Sequence, residues 1–538
     1  MKKNIKIWIT PFFISILPIL ALYSHNIDYM DFNRTITPIF YSFLFVIISL
    51  LSFSSFFNNN KKTSFFVSIW TFYFFSFGYI YLEISKSKII SILPISLNLF
   101  LLGIMTISLF PTGYFLKKAK NNFANDGLNF LRFVSSALIL FNLFNIVPIE
   151  IKKISWKKTI YEYQQNNTVF SNLEIKDKEE IIKPDIYYFV FDRYGRQDIL
   201  KKHFNFDNSE FMSFLKKSEF FTADESYANY PNTFLSLSSS LNGKYLDFLG
   251  EKMGDSKNRT VVYKELIENN DFVKFLKKQE YEYIILGDFW DGSKKSNLAN
   301  QNANLFENFD EFQMSIYEKN LINTIRGMMG DKQLFVGVER LNIIGKNLDF
   351  RKRSLEKNIK KPQPKFVFGH FLLPHEPVVF SETCYPLDFD DIRKLNKKEG
   401  YLSQLNCANN FMIEIVEKIK EESTKPFVII FQSDEGPYLP EEYFNLDGEL
   451  VPENSDSYKI HASILNSVFL SSKENPKEAV DYKSLNFSED MTPVNTFRII
   501  TNYYFNQDIP LLENDSYVFA NPDNPYHFKK ITNYLNMK

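Results

Sequence analysis

Three short runs of β-forming residues carry or precede polar groups whose types could do chemistry. They are Asp185–Asp192, which ends in Asp192; Lys365–Leu373, which contains His370 and precedes His375; and Phe427–Phe431, which precedes Ser433, Asp434 and Glu435. Each has an ordinary explanation, because strands commonly end in Asp, Ser or Gly where the chain must turn. Together, however, carboxylates from two strand ends could converge on one oxygen-rich site for a hard divalent cation.

A threonine in the segment Asn229–Gly243 adds a candidate nucleophile. Thr233 follows a proline-containing turn and precedes residues that favour a helix or a turn. A hydroxyl at a helix N-terminus lies beside unpaired backbone N–H groups, which suit an anion. A bound metal can lower the pKa of such a hydroxyl and make it a nucleophile. A threonine in this position can equally be a simple helix N-cap.

The elements around these residues are typical of an α/β fold. Helical spacing over residues 262–279 and 401–422 alternates with nearly continuous apolar strands, which include Tyr283–Gly287 and Ile464–Leu470. Strands of this kind indicate a largely parallel sheet that is buried on both faces. Ligand sites in such sheets lie at the carboxyl ends of the strands. The polar groups described above therefore stand where a site is expected.

The first 150 residues have a different composition and are predicted to span a membrane. They contain 12 Lys/Arg against 5 Asp/Glu, whereas the remainder contains 50 against 58, although the whole chain has a formal net charge of −1. A helix needs about 20 apolar residues to cross the hydrocarbon core. Five apolar runs approach that length: Ile7–Tyr23, Ile36–Phe57, Phe65–Leu82, Ile89–Phe110 and Leu128–Pro148.

The lysines predict an orientation in the inner or plasma membrane. With the N-terminus in the cytoplasm, the inner segments carry Lys2, Lys3, Lys6, Lys61, Lys62, Lys117, Lys118 and Lys120. This agrees with the positive-inside rule, although four further lysines between residues 152 and 158 follow the fifth span. We therefore expect a transmembrane domain over 1–148, a polar linker over 149–183 and an extracytoplasmic domain over 184–538.

Composition also disfavours two classes of protein. No strongly basic domain is present, so a nucleic-acid partner is not expected, and the 17% aromatic content disfavours long disordered stretches. The two cysteines, Cys384 and Cys407, both lie in the domain predicted to be exported. Such a pair is a plausible disulfide, and the alternative is two unrelated buried thiols. The oligomeric state is left open.

Four motifs in this order resemble the sulfatase-like branch of the alkaline phosphatase superfamily. They are the strand ending in Asp192, Asn229-Tyr-Pro-x-Thr233-x-x-Ser-Leu-x-Ser-x-Leu, Pro374-His375-x-Pro377 and Ser433-Asp434-x-Gly436. Five spans before an exported domain are similar to the layout of lipoteichoic acid synthases and lipid A phosphoethanolamine transferases. The resemblance implies an alkaline phosphatase-like domain over about residues 184–530. The nucleophile segment lacks the Cys/Ser-x-Pro-x-Arg motif of true sulfatases, which disfavours sulfate ester hydrolysis by their route.

The resemblance also implies a role for each motif residue. Asp192 and Asp434 would bind a single divalent metal ion, and Thr233 would be both a ligand and the metal-activated nucleophile. Glu435 would be a ligand where the family usually has histidine, which shifts the preference from zinc towards manganese, magnesium or calcium and equally fits a degenerate site. His375, with His370, would contact phosphoryl oxygens or protonate the leaving group.

One further histidine, His461, could complete the site, although a solvated loop position is the simpler expectation. The sequence thus favours a membrane-bound transferase. It would move a phosphoryl-linked group, such as phosphoglycerol or phosphoethanolamine, from a membrane lipid to a cell-surface glycan or glycolipid. Two alternatives stay open. One is a phosphodiesterase or other sulfatase-like hydrolase that uses water as acceptor, and the other is a catalytically degenerate pseudoenzyme that binds or scaffolds at the cell surface.

Overall fold

The chain divides into two units. The computed structural model describes residues 2–85, 97–175, 181–306, 311–323, 336–438, 455–519 and 524–535. The first unit, called the helical unit, comprises Met1–Ile154 and Phe309–Arg340, and the second, called the sheet unit, comprises Ser155–Asn308 and Leu341–Lys538. The division at Ile154 lies close to the predicted end of the membrane segment at residue 148.

The helical unit contains long apolar helices. They are α1 (Lys2–His25), α2 (Ile36–Phe57), α3 (Asn60–Ser85), α4 (Leu97–Lys118) and α5 (Asn121–Asn166). Four stretches are long and apolar enough to cross a membrane, namely Lys6–His25, Phe32–Phe57, Asn60–Ile80 and Asn121–Asn166. The predicted fourth span, Ile89–Phe110, lies partly outside the described residues and continues into α4. Four of the five predicted spans are therefore helices of sufficient length and apolarity.

A later segment joins this unit although the sequence predicted it within the exported domain. The helix Glu311–Glu318 lies in it, and Phe312 packs in an apolar cluster with Ile19, Tyr23 and Ile146. The ring of Phe312 meets the ring of Tyr23 edge-on, with centroids 6.5 Å apart. The buried ring of Phe312 thus packs this segment against the N-terminal helices.

The stretch interpreted as a linker is partly helical. Helix α5 does not stop at Pro148 but continues to Asn166, and Ile160 in this extension is fully buried in the core of the sheet unit. Beyond the helix, the carboxylate of Asp271 accepts hydrogen bonds from the backbone N–H groups of residues 169–171 at 2.6–3.1 Å. The chain therefore packs into the sheet unit well before residue 184, where the exported domain was predicted to begin. Residues 176–180 lie outside the described part of the chain.

The sheet unit is built on a seven-stranded sheet, as the strand pattern predicted. Its strands are β1 (Asp185–Phe191), β2 (Phe221–Thr222), β3 (Glu282–Leu286), β4 (Gln301–Ala303), β5 (Lys365–Phe371), β6 (Phe427–Gln432) and β7 (Asn466–Leu470), in the order β2-β7-β6-β1-β5-β3-β4. The pairs from β4 through β6 are parallel, and in this sheet only β7 runs the opposite way, since it pairs antiparallel with both β6 and the edge strand β2. A separate hairpin joins β8 (Tyr517–Phe519) and β9 (Phe528–Lys530).

The strands are apolar on both faces because helices cover the sheet on both sides. In β1, Ile186, Tyr188 and Val190 face one hydrophobic cluster, whereas Tyr187, Phe189 and Phe191 face another. This alternation follows from the two-residue period of a strand. Its consequence is that even-numbered residues of β1 point to the layer that contains helix α8 (Thr233–Asn242), which packs in the first cluster.

The remaining helices of the sheet unit have the following bounds. They are α6 (Gln197–Phe204), α7 (Ser209–Lys217), α9 (Phe248–Met253), and then Thr260–Val262, Tyr263–Glu268, Asp271–Lys278, Asp291–Lys294, Val336–Ile359, Phe389–Ile392, Lys397–Glu422, Ser455–Ala462, Thr496–Phe505 and Thr532–Leu535. The helix predicted over 401–422 is confirmed and starts earlier, since Asn396 and Glu399 form a capping box. The single helix predicted over 262–279 is wrong. It breaks at Asn270, whose side chain accepts the N–H of Val273 and caps a new helix.

The two cysteines form a disulfide, which is one of the two alternatives that the sequence left open. Cys384 and Cys407 are bonded across 23 residues of sequence, and Cys407 is fully buried. The bond ties the loop after β5 to the long helix Lys397–Glu422. Disulfides persist in oxidising compartments.

We predict that replacing both Cys384 and Cys407 by serine lowers the free energy of unfolding by about 3 kcal/mol, because a loop of this length gains entropy in the unfolded chain. The measurement is thermal unfolding of the purified full-length protein. Wild-type protein treated with reductant should unfold at the same lower temperature as the double variant, and an unchanged unfolding temperature would contradict the prediction.

A buried ion pair joins the amino ends of the central strands. Asp185 at the start of β1 lies 2.6 Å from the ammonium group of Lys365 at the start of β5, and both side chains are almost completely buried. The half-exposed Lys425 contacts the other oxygen of Asp185 at 2.9 Å. This cluster sits at the end of the sheet opposite to the carboxyl ends of the strands.

We predict that Asp185→Ala lowers the free energy of unfolding by about 3–5 kcal/mol, because it leaves a buried ammonium group without its partner. Replacing both partners, in Asp185→Leu with Lys365→Met, should restore much of the loss. Lys425→Ala serves as the control and should cost less than about 1 kcal/mol, as expected for a partly exposed pair. Equal effects of the three variants in urea unfolding would refute this assignment.

Candidate active site and metal centre

The carboxyl ends of the three central strands place the predicted polar residues together. In the parallel register, Val190 of β1 lies opposite both His370 of β5 and Gln432 of β6. Asp192 comes two residues after Val190, and Asp434 comes two residues after Gln432. Because side chains alternate with a period of two, those of Asp192, His370 and Asp434 point to the same face of the sheet, towards α8.

Asp192, His370 and Asp434 form a compact group. Each offers one ligand atom, these atoms lie within 4.8 Å of one another, and all three side chains are buried. His370 Nε2 lies 3.5 Å from Asp192 Oδ2. This group brings together two of the predicted metal ligands and one of the two predicted catalytic histidines.

Three polar atoms of this group lack a hydrogen-bond partner. Asp192 Oδ1, His370 Nε2 and Asp434 Oδ2 are buried, and none is hydrogen-bonded within the described part of the chain. Buried polar atoms are otherwise almost always paired. Two carboxylate oxygens and one imidazole nitrogen that face each other in this way fit the ligand set of a divalent cation.

The electrostatics of the two carboxyls point in the same direction. Burial raises the pKa of Asp434 well above its usual value, and the negative charges of Asp192 and Glu435 raise it further. Burial also acts to raise the pKa of Asp192, but His375 and His370 outweigh it and lower that pKa to about 2. Two carboxylates so close together repel one another, and a cation between them would remove the repulsion.

Thr233 stands beside this group at the start of α8. It is the first residue of the helix, after Asn232 in an extended conformation, and its side chain is half-buried. Its hydroxyl lies close enough to Asp434 to oppose the rise of that pKa. The helix behind it is held tightly, because every residue from Phe234 to Asn242 is buried.

Two glycines allow the close approaches that this arrangement needs. Gly243 ends α8 with φ of +56°, and a Cβ there would lie 2.6 Å from the ring of Phe170. Gly436 follows the Asp434-Glu435 pair, and a Cβ there would lie 2.1 Å from the carbonyl oxygen of Ile460. A larger residue at Gly436 would displace the backbone beside the site, whereas one at Gly243, at the other end of α8 from Thr233, would be strained by the positive φ and would push against the ring of Phe170.

Glu435 occupies a different environment from the one expected of a metal ligand. Its Oε1 accepts a hydrogen bond from Arg193 Nε at 3.0 Å, and the guanidinium of Arg193 stacks 3.5 Å over the ring of Tyr438. Burial raises the pKa of Glu435 to about 7 despite the opposing charge of Arg193. Within the described residues, the group of converging ligands contains His370 and not Glu435.

The two other histidines of interest differ in position. His375 is partly exposed, hydrogen-bonds through its ring to the carbonyl of Glu376, and lies close enough to Asp192 that its ring, when protonated, lowers the pKa of that carboxyl. Burial lowers the pKa of His375. The expectation that His461 is a solvated loop residue is wrong. It lies in the helix Ser455–Ala462 with a side chain only 7% exposed, 3.7 Å from Glu435 Oε2.

Several residues that support the site were not identified from the sequence. Ser293 Oγ lies 2.8 Å from His370 Nδ1, and Arg351 donates to the backbone carbonyl of His370 at 2.6 Å while it pairs with Asp288. Asn229 donates to Thr492 Oγ1 and to the carbonyl of Asp515, both at 2.8 Å. Asn229 belongs to a motif quoted above. Nothing in the local sequence marks Ser293 or Arg351, because their partners lie far away in sequence.

No protein-family model and no curated protein matches the sequence. Among solved structures, the integral membrane protein lipooligosaccharide phosphoethanolamine transferase A (EptA) from Neisseria meningitidis is similar over 92% of this chain and 95% of its own, with 10% identity and a TM-score of 0.38. The C-terminal periplasmic domain of EcEptC from Escherichia coli, in complex with Zn, is similar over 69% of this chain and 97% of that domain, with 11% identity and a TM-score of 0.40.

A third similar structure is the C-terminal periplasmic domain of phosphoethanolamine transferase EptC from Campylobacter jejuni. The similarity covers 62% of this chain and 92% of that one, with 15% identity and a TM-score of 0.38. Identity and TM-score are low in all three comparisons. The function proposed below therefore rests on the residues of the site.

We predict that His370→Ala and Asp434→Asn each weaken divalent-cation binding by more than about 100-fold, because loss of a residue that merely orients a ligand already costs about 10–100-fold. Glu435→Gln, which also removes one charge from the site, should change the affinity by less than about 10-fold. The measurement is calorimetric titration of the metal-stripped protein with zinc and with manganese. A larger loss in Glu435→Gln than in His370→Ala would show that Glu435 is the ligand.

Proposed function

We propose that this chain is a membrane-bound, metal-dependent transferase of the sulfatase-like branch of the alkaline phosphatase superfamily. It moves a phosphoryl-linked group, of the phosphoglycerol or phosphoethanolamine type, from a lipid donor to a cell-surface glycan or glycolipid. The observation that carries the proposal is the convergence of Asp192, His370 and Asp434 beside the hydroxyl of Thr233.

Asp192, His370 and Asp434 would hold one divalent ion, with Thr233 as a further ligand. When bound, the ion would lower the pKa of the Thr233 hydroxyl and offset negative charge on the phosphoryl oxygens. An imidazole in place of a third carboxylate suits zinc better than the all-oxygen set expected from the sequence. Glu435 is then a charge partner of Arg193.

The chain's own residues would carry the transfer in two steps. Thr233 Oγ1 attacks the phosphorus of the donor and forms a phosphothreonine ester, while the bond from phosphorus to the lipid oxygen breaks. His375, kept neutral by burial, takes the proton of Thr233 and gives it to the departing lipid oxygen. An acceptor hydroxyl then attacks the same phosphorus and gives its proton to His375, while the bond from phosphorus to Thr233 Oγ1 breaks. The released Thr233 oxygen takes that proton from His375, which restores the starting state.

The disulfide and the apolar helices support a proposed compartment. The bond between Cys384 and Cys407 indicates an oxidising compartment for the sheet unit, and four of the five predicted spans are helices apolar enough to cross a membrane. Because five spans put the two ends of the chain on opposite sides, we infer that the N-terminus is in the cytoplasm and the sheet unit is outside the inner or plasma membrane. A membrane-anchored site of this kind has lipids as its nearest phosphate esters.

The test uses full-length protein and a phospholipid labelled in its headgroup. We predict that Thr233→Ala lowers release of the labelled group at least about 1,000-fold, because it removes the nucleophile, whereas Thr233→Ser keeps measurable activity. Thr222→Ala, on an edge strand, is the matched control and should behave like wild type. After the reaction is quenched, the labelled group should be found attached to the wild-type protein and not to Thr233→Ala.

The product distinguishes the rival functions. Label on a glycan or glycolipid identifies a transferase, and label released only into water identifies a hydrolase. Turnover by Thr233→Ala at the wild-type rate would exclude the mechanism. No turnover and no divalent-cation binding in the wild-type protein would identify a pseudoenzyme.

A further inference from the structure

One end of the helical unit is strongly basic. Lys62 Nζ donates a hydrogen bond to the carbonyl of Lys117 at 3.0 Å, and Asn59 donates to Asn121 at 3.0 Å. These contacts bring together the segments 58–64 and 116–122, which carry five lysines and no acidic residue. The next acid along the chain, Asp126, lies in α5, beyond these segments. The electrostatic potential at this end of the helical unit is therefore positive.

An apolar groove of about 800 Å³ runs from this basic end between α2, α3 and α4. Its walls include Phe53, Phe56, Phe66 and Phe110, and it reaches Lys117 and Lys118. The side chains of Phe56 and Phe110 are 48% and 80% exposed. Gly113 leaves the groove open on the α4 side, where a Cβ would approach the ring of Phe66 to 3.2 Å.

The two lysines at the end of the groove have no acidic partner within the described part of the chain. The ammonium group of Lys117 lies 4.6 Å from the ring centre of Phe56, and that of Lys118 donates a hydrogen bond to the hydroxyl of Tyr114. Both side chains are exposed. A cation over an aromatic ring or beside a phenol hydroxyl keeps its full charge and remains available to an anion. Both ammonium groups lie at the boundary between the apolar wall and solvent.

We propose that this groove binds one anionic phospholipid of the bilayer, with an acyl chain along the aromatic wall and the headgroup phosphate at Lys117 and Lys118. Helices α2 and α3 are long and apolar enough to cross a membrane, so the groove opens to lipid. Basic pockets between spanning helices are suited to anionic headgroups. The apolar wall alone would accept any lipid, and the lysines select a negative one.

This site is separate from the proposed reaction. On the topology proposed above, the segments after α2 and α4 lie on the same side as the N-terminus. The bound headgroup would then belong to the inner leaflet, whereas Thr233 acts on the outer side. The lipid is accordingly a bound partner of the helical unit and not the donor.

The test is native mass spectrometry of delipidated full-length protein, titrated in detergent with dioleoylphosphatidylglycerol or dioleoylphosphatidylcholine. The wild-type protein should bind the first lipid at least about 10-fold more tightly. Lys117→Gln with Lys118→Gln should weaken phosphatidylglycerol binding about 30-fold and leave phosphatidylcholine unchanged. The matched control is Lys201→Gln with Lys202→Gln, because those lysines are also an exposed pair in the last turn of a helix.

A second variant tests the groove itself. Ser52 is exposed on α2 and lines the groove, so Ser52→Trp should fill it and lower the occupancy of both lipids. Equal affinity for the two lipids, or phosphatidylglycerol binding that is unchanged by the double lysine variant, would overturn the proposal. If the double lysine variant does not fold, weakening of wild-type phosphatidylglycerol binding by salt and by Ser52→Trp supports the site. The absence of both effects rejects it.

Discussion

Two carboxylates buried side by side are the constraint on which the rest of the sheet unit depends. Asp192 and Asp434 follow neighbouring parallel strands and lie within 4.8 Å of each other and of His370. Burial and mutual repulsion raise the pKa of Asp434 well above its usual value. Such a pair is costly unless a proton or a cation lies between its members. The fold places the two carboxylates where a bound cation would remove their repulsion.

The neighbouring residues offset the negative charge in two separate ways. On one side His370 is held by Ser293 and Arg351, so that its Nε2 faces the carboxylates. On the other side Arg193 pairs with Glu435 and keeps that third carboxylate away from the group. The group therefore presents one imidazole and two carboxylates to a cation, although Glu435 follows Asp434 directly in the sequence.

Much of this could be predicted from the sequence, and the failures have identifiable physical causes. The central strands and the mainly parallel sheet were predicted correctly, because strand patterns and apolar runs are local properties. The disulfide was one of two open alternatives, and the structure selected it. The helix over 262–279 was predicted without its break, since the cap of Asn270 was missed. The helix Glu311–Glu318 was expected in the exported domain, but Phe312 packs with Ile19, Tyr23 and Ile146, and such distant partners leave no local pattern.

By itself, the sequence predicted that carboxylates such as Asp192 and Asp434 could converge, and its resemblance to a known family added Thr233 to them. Each stands at the end of a strand or the start of a helix, and parallel strands bring their carboxyl ends to one edge. Only the tertiary structure decided which further residue joins them. His370 and Glu435 are both beside the site in sequence terms, but strand register directs His370 inward, and a long-range pair with Arg193 engages Glu435. Side-chain direction and distant partners are set by packing, which no local pattern records.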